Sequence, residues 1–114
     1  MSSSPEQSSY DAVRRYPRIS ANIFVRVYVD GRPSTAARGH DVSVAGMAIY
    51  APMEIAIGTP INLSLQLPNS KIALGIRALV RNRNGFRYGV EFVELTPTEV
   101  QEVEHLILLL KVFS

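Results

Sequence analysis

The most constraining stretch of this chain is Ile61-Asn62-Leu63-Ser64-Leu65-Gln66-Leu67, in which aliphatic and polar residues alternate without a break. In extended backbone every aliphatic side chain then falls on one face and every polar one on the other. A period of two does not suit a helix; it predicts a strand with one face in a core and the other in water. Such a strand needs partners, and the rest of the chain supplies them. Ile23-Phe24-Val25-Arg26-Val27-Tyr28-Val29 is β-branched and aromatic, and Asp30-Gly31 with Pro33 turns the chain after it. Thr35 to Val42 and Gly46 to Ala51 read as two further strands around a turn near Ser43. Pro52 and Gly58-Thr59-Pro60 punctuate the next stretch, and Pro68-Asn69-Ser70 ends the alternating strand. Ile72 to Asn82 and Phe86 to Glu94 form a hairpin across Arg83-Asn84-Gly85, where Asn-Gly is a strong turn signal. Six short strands at this spacing predict an antiparallel β-barrel, closed or nearly so.

Beyond Leu95 the period changes. Thr96 can cap a helix, Pro97 suits its first position, and Glu99 completes a capping box. Val100, Val103, Ile107 and Leu110, widened by Leu106, follow the stripe of an amphipathic helix. The spacing predicts a helix over 97–112. Leu108, Leu109 and Phe113 lie off the stripe, over a barrel rim or against another subunit. Residues 1–12, which begin MSSSPEQSS, have no periodicity and read as a flexible tail.

Composition narrows the function. Of 114 residues 46% are apolar and 19% charged, the make-up of one globular domain. There is no cysteine, which excludes a disulfide scaffold, a thiolate metal site and a thiol nucleophile. The longest apolar run, Leu106 to Leu110, is five residues. A bilayer needs about 20, and no basic-then-apolar leader opens the chain, so a soluble cytoplasmic protein without membrane insertion is expected. No G-x-S-x-G elbow, metal-ligand spacing or Gly-rich phosphate loop is present. Of the two histidines, His105 falls on the helix and His40 would point to the opposite strand face from Asp41. The chain does not read as an enzyme, and no catalytic or metal-binding residue is assigned.

The net charge of +2 is unevenly distributed: residues 14–90 carry ten Arg and Lys71 against Asp30, Asp41 and Glu54. Arg presents a planar fork of donors that grips phosphate or a guanine edge with two bonds, which a Lys ammonium cannot do. An anionic partner fits this balance, as do plain solvated strand faces.

Two groups of residues could carry the binding. Arg14-Arg15-Tyr16-Pro17-Arg18 precedes the first strand, and Pro17 keeps Tyr16 out of helix, so an extended arm is expected. Its guanidiniums repel one another and are most stable facing an anion. Asp41-Val42-Ser43-Val44-Ala45-Gly46 forms a D-x-S-x-x-G pattern at a strand turn. In extended backbone Asp41 and Ser43 would share a side, and Gly46 would supply a positive φ or a close backbone approach. Taken alone the pattern is equally a turn sequence, since Asp, Ser and Gly all favour turns.

Together, an R-x-x-x-R (Arg14, Arg18) with 22 residues between Arg18 and the D-x-S-x-x-G, within six strands and a closing helix, resembles the PilZ domain, a bacterial receptor module for cyclic di-GMP. Phe86-Arg87-Tyr88-Gly89-Val90-Glu91-Phe92 is similar to the family's late Gly-aliphatic-x-Phe strand. The resemblance implies a tail over 1–12 and a PilZ-like domain over 13–114, with a ligand-binding arm at 13–22, a barrel at 23–95 and the helix. It implies that Arg14, Arg18, Asp41, Ser43 and Gly46 bind cyclic di-GMP, with Arg15 adding charge and Arg81 as a second-shell candidate. Guanine offers O6 and N7 to an Arg fork, and Asp41 can accept from its amino or imino group. Val13 stands where a further Arg would stack on a second ligand molecule, which favours one ligand per chain. The implied role is a receptor that relays the signal to a downstream protein, as a monomer or weak homodimer. The competing readings are a small basic barrel that binds single-stranded nucleic acid on aromatics such as Phe24, Tyr28, Tyr50, Phe86, Tyr88 and Phe92, and a PilZ-like interaction module that does not bind the nucleotide.

Overall fold

Side-chain alternation closes the fold. β1 (Ile23–Tyr28) buries Ile23, Val25 and Val27 and exposes the residues between them. β4 (Pro60–Gln66) buries Ile61, Leu63 and Leu65, as its sequence period requires. β2 (Thr35–His40), β3 (Gly46–Tyr50), β5 (Ala73–Asn84) and β6 (Arg87–Phe92) complete the set. In the computed structural model, which describes residues 17–113, these strands form a closed antiparallel barrel in the order β1-β2-β3-β6-β5-β4. Closure is made by β1 against β4, with Val25 opposite Leu65 and Val27 opposite Leu63. The inward side chains form one core, and each fully buried Leu or Ile in it contributes about 1.5–3 kcal/mol of transfer free energy.

The helix α1 (Pro97–Phe113) begins and ends within a residue of its expected limits. Its capping box is formed: the Glu99 amide donates to Thr96 Oγ1 at 3.1 Å and the Thr96 amide to Glu99 Oε1 at 2.9 Å. Val103, Leu106, Ile107 and Leu110 join the barrel core. Val100, expected on the stripe, is 37% exposed, while Leu108 and Phe113 are more than half exposed. Arg77 ties the helix start to β5, reaching Glu99 Oε1 at 3.1 Å.

Three local readings shift. β2 ends at His40 rather than Val42, because Asp41 takes a φ of 50° and leaves the pleat. The β5–β6 hairpin turns on Gly85-Phe86, with Asn84 still paired to Arg87, so its tip is one residue later than the Asn-Gly signal suggests. Gly85 takes the positive φ there, 64°, as the first residue of a two-residue turn. A register irregularity between Val80 and Asn82 places Arg81 at a bulge, beyond which β5 is exposed. Finally, Tyr88 and Phe92, read as stacking candidates, lie in the core. The Tyr88 hydroxyl donates to Met53 O at 2.6 Å and accepts from the Ile55 amide at 3.0 Å, pinning the β3–β4 connection from inside.

Candidate functional site

The D-x-S-x-x-G segment is a turn whose residues divide the work. Ser43 is fully buried; its hydroxyl donates to Gly46 O at 3.3 Å and accepts from the Ala45 amide at 3.2 Å. The Ser43 amide donates to Gly46 O at 2.8 Å, so backbone and side chain close the same turn. Gly46 does not take a positive φ. It is required for close approach, since a Cβ there would overlap the Val90 carbonyl oxygen. Asp41 takes the left-handed conformation instead, which Asp tolerates better than most residues. Asp41 and Ser43 therefore do not share a side: the Asp41 side chain is a third exposed and Ser43 is sealed.

Ile19 docks onto this turn. Its amide donates to Val42 O at 2.8 Å and the Val42 amide donates back at 3.0 Å, an isolated antiparallel bridge. Arg18, exposed, thereby stands next to the turn that carries Asp41. Arg14 and Arg15 lie outside the described residues.

Outside the turn, the barrel surface carries a cross-strand row. Phe24 pairs with Arg38, Arg38 with Tyr50, and Tyr50 with Arg87, running over β1, β2, β3 and β6. The Arg38 guanidinium lies 4.3 Å from the Phe24 ring centroid, and that of Arg87 lies 5.9 Å from Tyr50. His40 meets Tyr50 edge-on at 5.0 Å. Arg87 also reaches Asp41, Nη2 to Oδ2 at 3.2 Å. No hydrogen bond joins Asp41 to the neighbouring His40.

The distribution of ion pairs sharpens the charge pattern. Arg77, Arg81, Arg83 and Arg87 on β5 and β6 each have a carboxylate partner; Arg81 takes Glu91 at 2.6 Å and does not turn to Asp41. Arg18, Arg26 and Arg38 have no carboxylate partner among the described residues. Arg32, Lys71 and Lys111 likewise have none among the described residues, so of these six cations three, Arg18, Arg26 and Arg38, lie just before β1 or on the outer face of β1 and β2. A groove of about 760 Å³ opens on the same side, between residues 20–24, Arg38, the β4–β5 turn and the end of α1. Arg87, which pairs with Asp41, was not singled out by sequence reasoning. It stands in the late-strand motif, but its partner Asp41 is 46 residues away, and only the β2-β3-β6 order joins them. Among the described residues no cluster of His, Asp and Glu could hold a metal, and no helix is long and apolar enough to cross a membrane.

A closed six-stranded barrel with a cationic segment bridged to a D-x-S-x-x-G turn defines a class. The PilZ domain model matches residues 12–109, and the chain belongs to that family. The fold is similar to the PilZ domain of YcgR from Escherichia coli with c-di-GMP, with a TM-score of 0.74 and 20% identity over 88% of this chain and 92% of that one. The PilZ domain of CeSA from a cellulose-synthesising bacterium gives 0.69 and 23%, covering 82% and 97%. The Bacillus subtilis inhibitor of motility, MotI/DgrA, gives 0.64 and 18%, covering 82% of this chain and 49% of that one. No curated protein matches.

Proposed function

We propose that this PilZ domain is a cyclic di-GMP receptor that relays the ligand's presence to a protein partner, and that it carries out no catalysis. The observation that carries the reading is the Ile19–Val42 bridge, which sets Arg18 of the R-x-x-x-R beside the Asp41 turn on the face where Arg26 and Arg38 lack carboxylate partners. Arg14 and Arg18 take phosphate and guanine, with Arg15 adding charge. Asp41 accepts from the guanine amino or imino group, and its carboxylate, about a third exposed, is accessible for that. Ser43, with its hydroxyl turned to Gly46 O, serves the site by holding the turn, and Gly46 by letting it pack against β6. Arg81, engaged by Glu91, supplies charge at most. Charge-assisted hydrogen bonds contribute about 1.5–3 kcal/mol each, so several of them are needed to reach the roughly −8 kcal/mol of a micromolar complex once ordering costs are met.

A thermal melt with cyclic di-GMP, against GTP and with Arg18→Ala, tests the binding. Ligand at about 100 times its dissociation constant adds about 2.7 kcal/mol, a rise of several degrees. A rise with cyclic di-GMP alone, absent in Arg18→Ala, is expected; no rise removes the reading. The exposed alternation of Phe24, Arg38, Tyr50 and Arg87 favours a second reading, single-strand nucleic-acid binding. Asp41→Ala separates the two, because an acid does little for a phosphate chain: the receptor loses nearly all affinity and the strand binder none. For the relay, a pull-down with and without the dinucleotide should capture different proteins, and identical captures would argue against it.

A further inference from the structure

We propose that Arg87 is a positioning residue of this site: its guanidinium holds the Asp41 carboxylate in the orientation from which Asp41 meets a guanine edge, without itself touching the ligand. The proposal rests on the receptor reading above and adds a residue outside both sequence motifs.

Asp41 sits one residue past the end of β2 with a φ of 50°, so the pleat no longer directs its side chain. Something else must. The contact its carboxylate makes is with Arg87 Nη2, 3.2 Å from Oδ2, while Oδ1 accepts no hydrogen bond from the described residues. The pair is partly shielded, with side-chain exposures of 37% and 34%. Arg87 is held in its turn. It lies opposite Tyr50 in the β3–β6 ladder, with its guanidinium 5.9 Å from that ring. Tyr50 is braced by the edge of His40, at 5.0 Å and 88°. His40 immediately precedes Asp41, so the contacts form a closed circuit over β2, β3 and β6. A surface ion pair adds little to stability. Its effect falls on the carboxylate. A guanine edge presents donors in a fixed plane, and an acceptor with one oxygen already held loses less rotational freedom on meeting them.

The test is calorimetric titration of cyclic di-GMP into the wild type, Arg87→Ala, Arg87→Lys, Asp41→Asn and the double variant Asp41→Asn/Arg87→Ala. Thermal melts confirm that each is folded. Arg87→Ala should weaken binding about tenfold, with Arg87→Lys recovering part of the loss. The double variant should bind no more weakly than Asp41→Asn, because Arg87 acts only through Asp41. Losses that multiply in the double variant, or an Arg87→Ala that binds like the wild type, would overturn the proposal and leave the receptor reading intact. A wild type that ignores cyclic di-GMP would overturn both. In the ligand-free protein, the Arg87 guanidinium NMR signals should shift on Asp41→Asn; unmoved signals would show that the two are not joined in solution and would also overturn it.

Discussion

Ser43 has its hydroxyl turned into the protein, so its motif is partly a folding device. Replacing it with Ala leaves the Ala45 amide without its acceptor in a partly buried turn. We expect Ser43→Ala to lose about 1–2 kcal/mol of stability before any ligand is added, measured by urea unfolding. Unchanged stability would show that the hydroxyl is kept for the ligand alone. Gly46 has a stricter requirement, since its missing Cβ makes room for a backbone carbonyl that cannot swing aside. Gly46→Ala should destabilise by about 1–3 kcal/mol or more, whereas Gly39→Ala meets mainly the mobile end of Met47 along with Ile23 and Val25. Urea midpoints that put Gly39→Ala as the worse of the two would contradict this ranking. At this scale the sequence marked Ser43 and Gly46 as turn residues without showing what each does there. A close approach at Gly46 was one of two readings, beside a positive φ, and its cause, Val90, lies on another strand. The inward turn of Ser43 comes with its bonds to Gly46 O and from the Ala45 amide, and no spacing rule predicts that.

At the scale of elements, the best-read piece is the start of α1, because a capping box is a local device whose partners are three residues apart. Thr96→Ala should cost about 1 kcal/mol, seen in the thermal midpoint. The same box makes this helix end sensitive to acid. The Thr96 amide holds the Glu99 carboxylate below its usual range, opposed in part by burial and aided by Arg77. A carboxylate depressed in the folded state contributes stability that is present above its unfolded value and fades as pH falls through the lowered one. Melts across the acidic range should therefore fall more steeply for the wild type than for Glu99→Gln; parallel curves would remove Glu99 from the account. The β5–β6 hairpin was harder to read. Asn84-Gly85 and Gly85-Phe86 are both acceptable two-residue turns, and the bulge at Arg81, a feature of pairing rather than of composition, selects the second.

For the whole molecule, the strand count, the barrel and the helix were legible because patterning acts over a few residues, while full closure is made by the β1–β4 pairing. What was not legible was which distant residues meet on the outside, as Asp41 and Arg87 do. Tyr88 shows the same limit from within. Its aromatic character marked it as a possible platform, but it is a strut between β6 and the β3–β4 connection. Tyr88→Phe leaves Met53 O and the Ile55 amide unpaired and should lower the melting temperature by several degrees. It should also speed amide exchange at Ile55; exchange at the wild-type rate would mean that the strut carries no load. The closed ladder has one more consequence. Since β1 completes its pairing on β4, the barrel has, among the described residues, no free edge to which a visiting strand could add. A partner that takes a message from this domain must recognise side chains, so its docking should be disrupted by point substitutions on the outer face and be indifferent to strand-mimicking peptides.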